Sequence, residues 1–84
     1  MRVQVRLFAN LRARLPAAAQ GRSEVEIEAG TSLAGLIDQL GIPDRLAQMV
    51  LVDGLQQPRS RERRAERILE EGQTVSIFPP IAGG

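Results

Sequence analysis

Apolar and polar positions alternate from Arg2 to Phe8. Val3, Val5 and Leu7 fall on one side and Gln4, Arg6 and Phe8 on the other, the period of a half-buried strand. Leu11 and Leu15, four residues apart, predict one short helical turn over Asn10–Leu15, capped by Asn10 and stopped before Pro16. Small residues and Gly21 make 17–23 a loop, and the alternation returns in a short second strand over Glu24–Glu28. Ala29-Gly30 turns the chain. Thr31 is then the expected cap of a helix over Ser32–Leu40, in which Leu33, Leu36, Ile37 and Leu40 form one apolar stripe. Gly35 within it costs about 1 kcal/mol relative to Ala. Gly41 suits the left-handed position that ends a helix, and Pro43 follows it.

Further on, Pro43–Gln48 reads as a second short helical turn, preset by Pro43. Met49–Val52 is a third strand, closed by the tight-turn pair Asp53-Gly54. Leu55–Arg67 is polar and arginine-rich and is expected to be a mostly irregular connection. Ile68-Leu69 is an apolar pair, Glu71-Gly72 a turn, and Val75–Phe78 the last strand. Pro79-Pro80 cannot donate to a ladder, so residues 79–84 form a tail. The order strand, strand, helix, strand, strand predicts a two-layer α+β domain over residues 1–84, with one main helix on one face of a four-stranded mixed sheet. Its expected core is Val3, Val5, Leu7, Val25, Ile27, Leu33, Leu36, Ile37, Leu40, Val50, Val52, Leu69, Val75 and Ile77.

Composition narrows the chemistry. The chain has 84 residues, 43% hydrophobic, enough for one globular domain. It has no cysteine, hence no disulfide and no thiolate nucleophile or ligand, and no histidine, the commonest general base. All 11 basic residues are arginines, against 10 acidic ones, for a formal charge of +1. No apolar run is long enough to span a bilayer, and the opening strand does not read as a signal peptide; a cytoplasmic location is expected, with no membrane partner. The densest charge run, Arg59–Arg67, could in principle meet phosphates. Glu62, Glu66, Glu70 and Glu71 dilute it and no aromatic interleaves it, so it is expected to be a solvated or partner-facing loop, not a nucleic-acid site. Asp38, Asp44, Glu24, Glu26 and Glu28 read as surface carboxylates, and no metal site is expected.

The tail is different. Pro79-Pro80 holds the chain extended, and Gly83-Gly84, without side chains, can thread a narrow channel. A terminal carboxylate becomes an electrophile once an ATP-using partner adenylates it, and a sulfur nucleophile then yields a thiocarboxylate. Such chemistry asks nothing of this chain except a reachable end. The bland alternative is a frayed terminus with accidental glycines.

Val5-Arg6-Leu7-Phe8-Ala9-Asn10-Leu11-Arg12 resembles the opening strand and phenylalanine–alanine–x–leucine–arginine turn of the MoaD/ThiS family of ubiquitin-like sulfur carriers. Phe78-Pro79-Pro80-Ile81-Ala82-Gly83-Gly84 resembles that family's closing strand and tail, most of all in the small subunits of molybdopterin synthases. The resemblance covers essentially the whole chain and implies a β-grasp fold. It also implies a non-catalytic sulfur carrier in molybdenum cofactor biosynthesis. Gly84, preceded by Gly83, would be adenylated by an enzyme related to ubiquitin-activating enzymes, converted to a thiocarboxylate, and presented to a cyclic pterin precursor in the large synthase subunit. No cofactor would be bound; ATP would belong to the adenylating partner. The same family pattern also fits a carrier for thiamine, cysteine or another thio-cofactor. A ubiquitin-like protein modifier and a plain binding module are further readings. The Arg59–Arg67 run is no hallmark of the family. The only aromatics, Phe8 and Phe78, are out of phase with the buried positions of their strands, so both should face outward, and in a β-grasp fold those strands are neighbours. Phe8, Phe78, Pro79, Pro80, Ile81 and Ala82 are therefore the expected partner-binding residues.

Overall fold

Parallel pairing of the first strand with the last organises the sheet. In the computed structural model, which describes residues 1–16 and 19–81, β1 (Arg2–Leu7) lies beside β5 (Thr74–Phe78), with Val5 level with Val75 and Leu7 with Ile77. β2 (Arg22–Glu26) pairs antiparallel with β1; β3 (Met49–Val52) pairs antiparallel with β5 and with the two-residue β4 (Leu55–Gln56), giving the order β2-β1-β5-β3-β4. Alternate residues of β1, β3 and β5 face a single core, which α1 (Leu33–Gln39) closes with Leu33, Leu36 and Ile37, none of them measurably exposed. The expected β-grasp class stands, with a fifth strand added. Among the described residues no helix is long and apolar enough to cross a membrane.

Local hydrogen bonding moved several expected boundaries. Ser32, not Thr31, caps α1: its backbone is extended and its Oγ accepts from the Gly35 amide at 3.0 Å, while Thr31 Oγ1 donates back to the Glu28 carbonyl at 2.6 Å. The turn after β1 is a 3-10 helix over Ala9–Arg14 that follows Phe8 and has no side-chain cap from Asn10. β2 begins at Arg22, two residues early, because the ladder runs on through Val5 opposite Ser23 and Arg6 opposite Arg22. It ends at Glu26, after which the Ile27 amide donates to the Met1 carbonyl. Val25 and Leu40 are only partly buried; Leu11, Ala34, Ile42 and Ala47 complete the core instead.

The largest departure is the arginine-rich segment. Leu55–Arg67 is not irregular: after β4 it forms α2 (Arg61–Glu66), capped by Ser60 Oγ on the Arg63 amide. Three of its arginines are fastened to the domain. Arg64 is 2% exposed and donates through Nε to the Pro58 carbonyl and through Nη1 to the Ala47 carbonyl, both at 2.8 Å. Arg61 forks onto both oxygens of Asp38 at the end of α1 and reaches Asp44 at 3.1 Å; Arg59 donates to Gln48 Oε1 at 3.0 Å. Two of the buried guanidinium's nitrogens thus meet main-chain carbonyls, while Nη2 is buried without a partner.

Gly21 is required twice over. Its φ of +77° is left-handed, and a Cβ there would lie 2.6 Å from the Leu7 carbonyl oxygen, which accepts no closer approach because it belongs to the backbone of β1. Gly41 has a similar φ of +72° but open space around it. Gly41→Ala should therefore cost about 1 kcal/mol, and Gly21→Ala distinctly more, in urea unfolding; equal losses would contradict the close approach. The Arg61 guanidinium that donates to Asp38 holds that carboxyl below its usual range. A lowered folded-state value stabilises the protein above the unfolded value and is lost as pH falls through the folded one. The melting-temperature gap between wild type and Asp38→Asn should thus be present at neutral pH and close below about pH 4, and it should shrink in salt.

Candidate functional site

One sheet face is covered by α1; the other is open. The alternation that sends Val5, Leu7, Val75 and Ile77 inward sends Gln4, Arg6, Thr74, Ser76 and Phe78 outward, and β3 adds Met49 and Leu51 to that outer face. The Phe8 amide donates to the Ile77 carbonyl at 3.2 Å, which carries the β1–β5 ladder one residue past β1. Phe8 therefore arrives beside Phe78. The two rings stack with centroids 4.1 Å apart and planes 10° from parallel, so each covers one face of the other and both are half-buried. Met49 is the register partner of Phe78 and is 37% exposed, extending the apolar surface onto β3. The Arg6 guanidinium carbon lies 5.6 Å from the Phe8 centroid, within cation–π range.

The tail leaves from this patch. Pro79 follows Phe78 directly and is half-buried, Pro80 is exposed, and Ile81 is 84% exposed. The structure thus brings together Phe8, Phe78 and the first residues of the tail. Ala82, Gly83 and Gly84 lie outside the described residues. Met49 was missing from the expected set although its phase on β3 shows it; Arg22 was missing because β2 was expected to begin two residues later. Among the described residues, no cluster of acidic side chains is placed to hold a metal ion. The face offers an apolar patch with a cationic margin.

The ThiS family model matches residues 5–84. Among solved structures, a molybdopterin converting factor subunit 1 from Pyrococcus furiosus superposes with a TM-score of 0.69 at 21% identity, over 96% of this chain and 99% of that one. The small archaeal modifier protein 1 of Haloferax volcanii gives 0.68 at 17% identity, over 95% and 98%. The complex of subunits 1 and 2 of the molybdopterin-converting factor from Helicobacter pylori gives 0.61 at 19% identity, over the whole of both chains. No curated protein sequence matches. At these identities the solved structures show the fold.

Phe78→Ala removes one half of a stack that lies outside the main core. It should lower stability by roughly 1–2 kcal/mol, below the 3–5 of a core phenylalanine, and leave the circular dichroism spectrum intact. Outright loss of folding would place the rings in the core and not on a surface.

Proposed function

The chain belongs to the ThiS family, and we propose that it is a sulfur carrier whose working group is the carboxylate of Gly84, acting in molybdenum cofactor biosynthesis. In this reading the Gly84 carboxylate attacks the α-phosphorus of ATP in an adenylating enzyme related to ubiquitin-activating enzymes, and pyrophosphate leaves. A sulfur nucleophile then attacks the acyl carbon and displaces AMP, giving the thiocarboxylate. The thiocarboxylated tail enters the large subunit of molybdopterin synthase, and its sulfur passes to the cyclic pterin precursor. The carrier supplies a docking face and a narrow end whose carboxylate is electrophilic only as the acyl-adenylate; the catalytic side chains, the ATP and the pterin belong to the partners.

The observation that carries this reading is the stacked Phe8–Phe78 pair at the root of the tail. Half-buried aromatics beside exposed apolar residues such as Met49 and Ile81 suit a surface that a partner covers. An anchor next to the exit of an extended segment fixes where that segment begins, and so aims its end into a partner's active site. Gly83 adds no side chain to the threading strand. The pairing of subunits 1 and 2 in the Helicobacter pylori complex supports a two-protein arrangement. The fold shared with the small archaeal modifier protein 1 supports a second reading, a ubiquitin-like modifier that acylates target amines through Gly84. A carrier for thiamine or cysteine sulfur differs from the first reading only in the acceptor.

Incubation of the chain with its organism's adenylating enzyme, ATP and sulfide should raise the intact mass by the exchange of one oxygen for sulfur, and deletion of Gly84 should abolish the gain. Addition of the large synthase subunit and the cyclic precursor should then return the carboxylate form. Transfer of the intact chain to protein lysines in place of this cycle would favour the modifier; no mass change at all would remove both.

A further inference from the structure

Arg6 and Arg22 occupy directly opposed positions in the β1–β2 ladder, on the same open face as Phe8 and Phe78. Side chains so paired have Cβ atoms about 4.5–5.5 Å apart, and like charges there destabilise a sheet. A carboxylate between or beside them would relieve the repulsion. Glu24, the next outward residue of β2, is engaged elsewhere: its Oε1 accepts from Arg2 Nη1 at 3.0 Å and its Oε2 from Gln4 Nε2 at 2.8 Å. Among the described residues no carboxylate pairs with Arg6 or Arg22, whereas Arg2 holds one and Arg61 two. Two shallow hollows meet at the pair. One is lined by Gln4, Arg6, Arg22 and Thr74, the other by Arg6, Phe8, Arg12, Gln20 and Arg22.

We propose that Arg6 and Arg22 are a carboxylate-reading margin beside the aromatic anchor: the protein that buries the Phe8–Phe78 stack presents Asp or Glu side chains to this pair. The inference rests on the docking role given to that stack above. Two arginines at opposed register positions offer forked donors suited to carboxylates, and their like charges are offset when the partner's charge arrives. Polynucleotide is the poorer occupant. The two rings are stacked on each other and leave no slot between them for a base, and Glu24 and Glu26 continue the same strand. The pair is thus a cost to the isolated domain that is recovered in the complex, the pattern of a residue kept for function.

This predicts effects of opposite sign. R6Q/R22Q should melt no lower than wild type, and slightly higher at low salt, while binding its partners more weakly. Isothermal titration of the full chain into the organism's adenylating enzyme and large synthase subunit, at about 50 and about 300 mM salt, reads the binding side. R6E/R22E should lose about tenfold or more in affinity for at least one of them, with a flatter salt dependence than wild type, and R6Q/R22Q should fall between. Wild-type affinity and salt dependence in both variants would overturn the proposal, even with Phe78→Ala abolishing binding; that result would leave the docking face standing. If wild type binds neither enzyme, the partners proposed above fail and not this margin, which is then decided with poly-L-glutamate as probe. Amide shifts centred on Gln4, Arg6, Phe8 and Arg22 would support it. Shifts centred on α2, or a stronger response at the same residues to a single-stranded oligonucleotide of matched charge, would overturn it.

Discussion

The β1–β5 pairing is the constraint from which the rest follows. Among the described residues it is the one parallel ladder of the sheet, it lies at the centre, and it joins residues some seventy positions apart in sequence. Because Leu7 is level with Ile77, the next residue along β1 falls beside Phe78, and the aromatic stack is a consequence of register and not an independent contact. The same register sets the tail's point of departure, since β5 ends where two prolines remove the donors that another ladder residue would need. Core, anchor and exit are fixed by a single alignment.

Much of this was legible in the sequence. The strict alternation of β1, the heptad-like stripe of α1 and the outward phase of both phenylalanines needed only the periods of strand and helix, and the structure places all three as expected. What could not be read were features set by tertiary hydrogen bonding. β2 starts at Arg22 because its partner strand extends opposite it, and an arginine beside a serine carries no strand signal of its own. The two residues of β4 are below the length at which alternation can be seen.

The segment from Arg59 to Arg67 departs from expectation for a different reason. It is exposed as a charge run should be, except at Arg64 and Arg67, but it forms a helix and not a loop, with a clasp to Asp38 and Asp44 and one guanidinium sunk against two main-chain carbonyls. Hydrophobicity ranks Arg64 as the residue least suited to burial, yet its long stem is apolar and its head found acceptors already in place. By contrast Arg6 and Arg22, scattered in sequence and unremarkable singly, are brought opposite one another by the ladder. Sequence clustering and spatial clustering of charge are therefore nearly opposite here.

The central position of β5 has a consequence for the order of assembly. A chain that lacks residues 74–78 has no middle strand: β1 and β2 on one side and β3 and β4 on the other share no ladder. Non-local pairing of this kind is slow to form and cannot begin before its last participant exists. A chain ending before Thr74 thus lacks the ladders that join the two halves of the sheet, and the native pairing requires the strand that bears the tail. The fold itself inspects for the presence of the segment that leads to the working end.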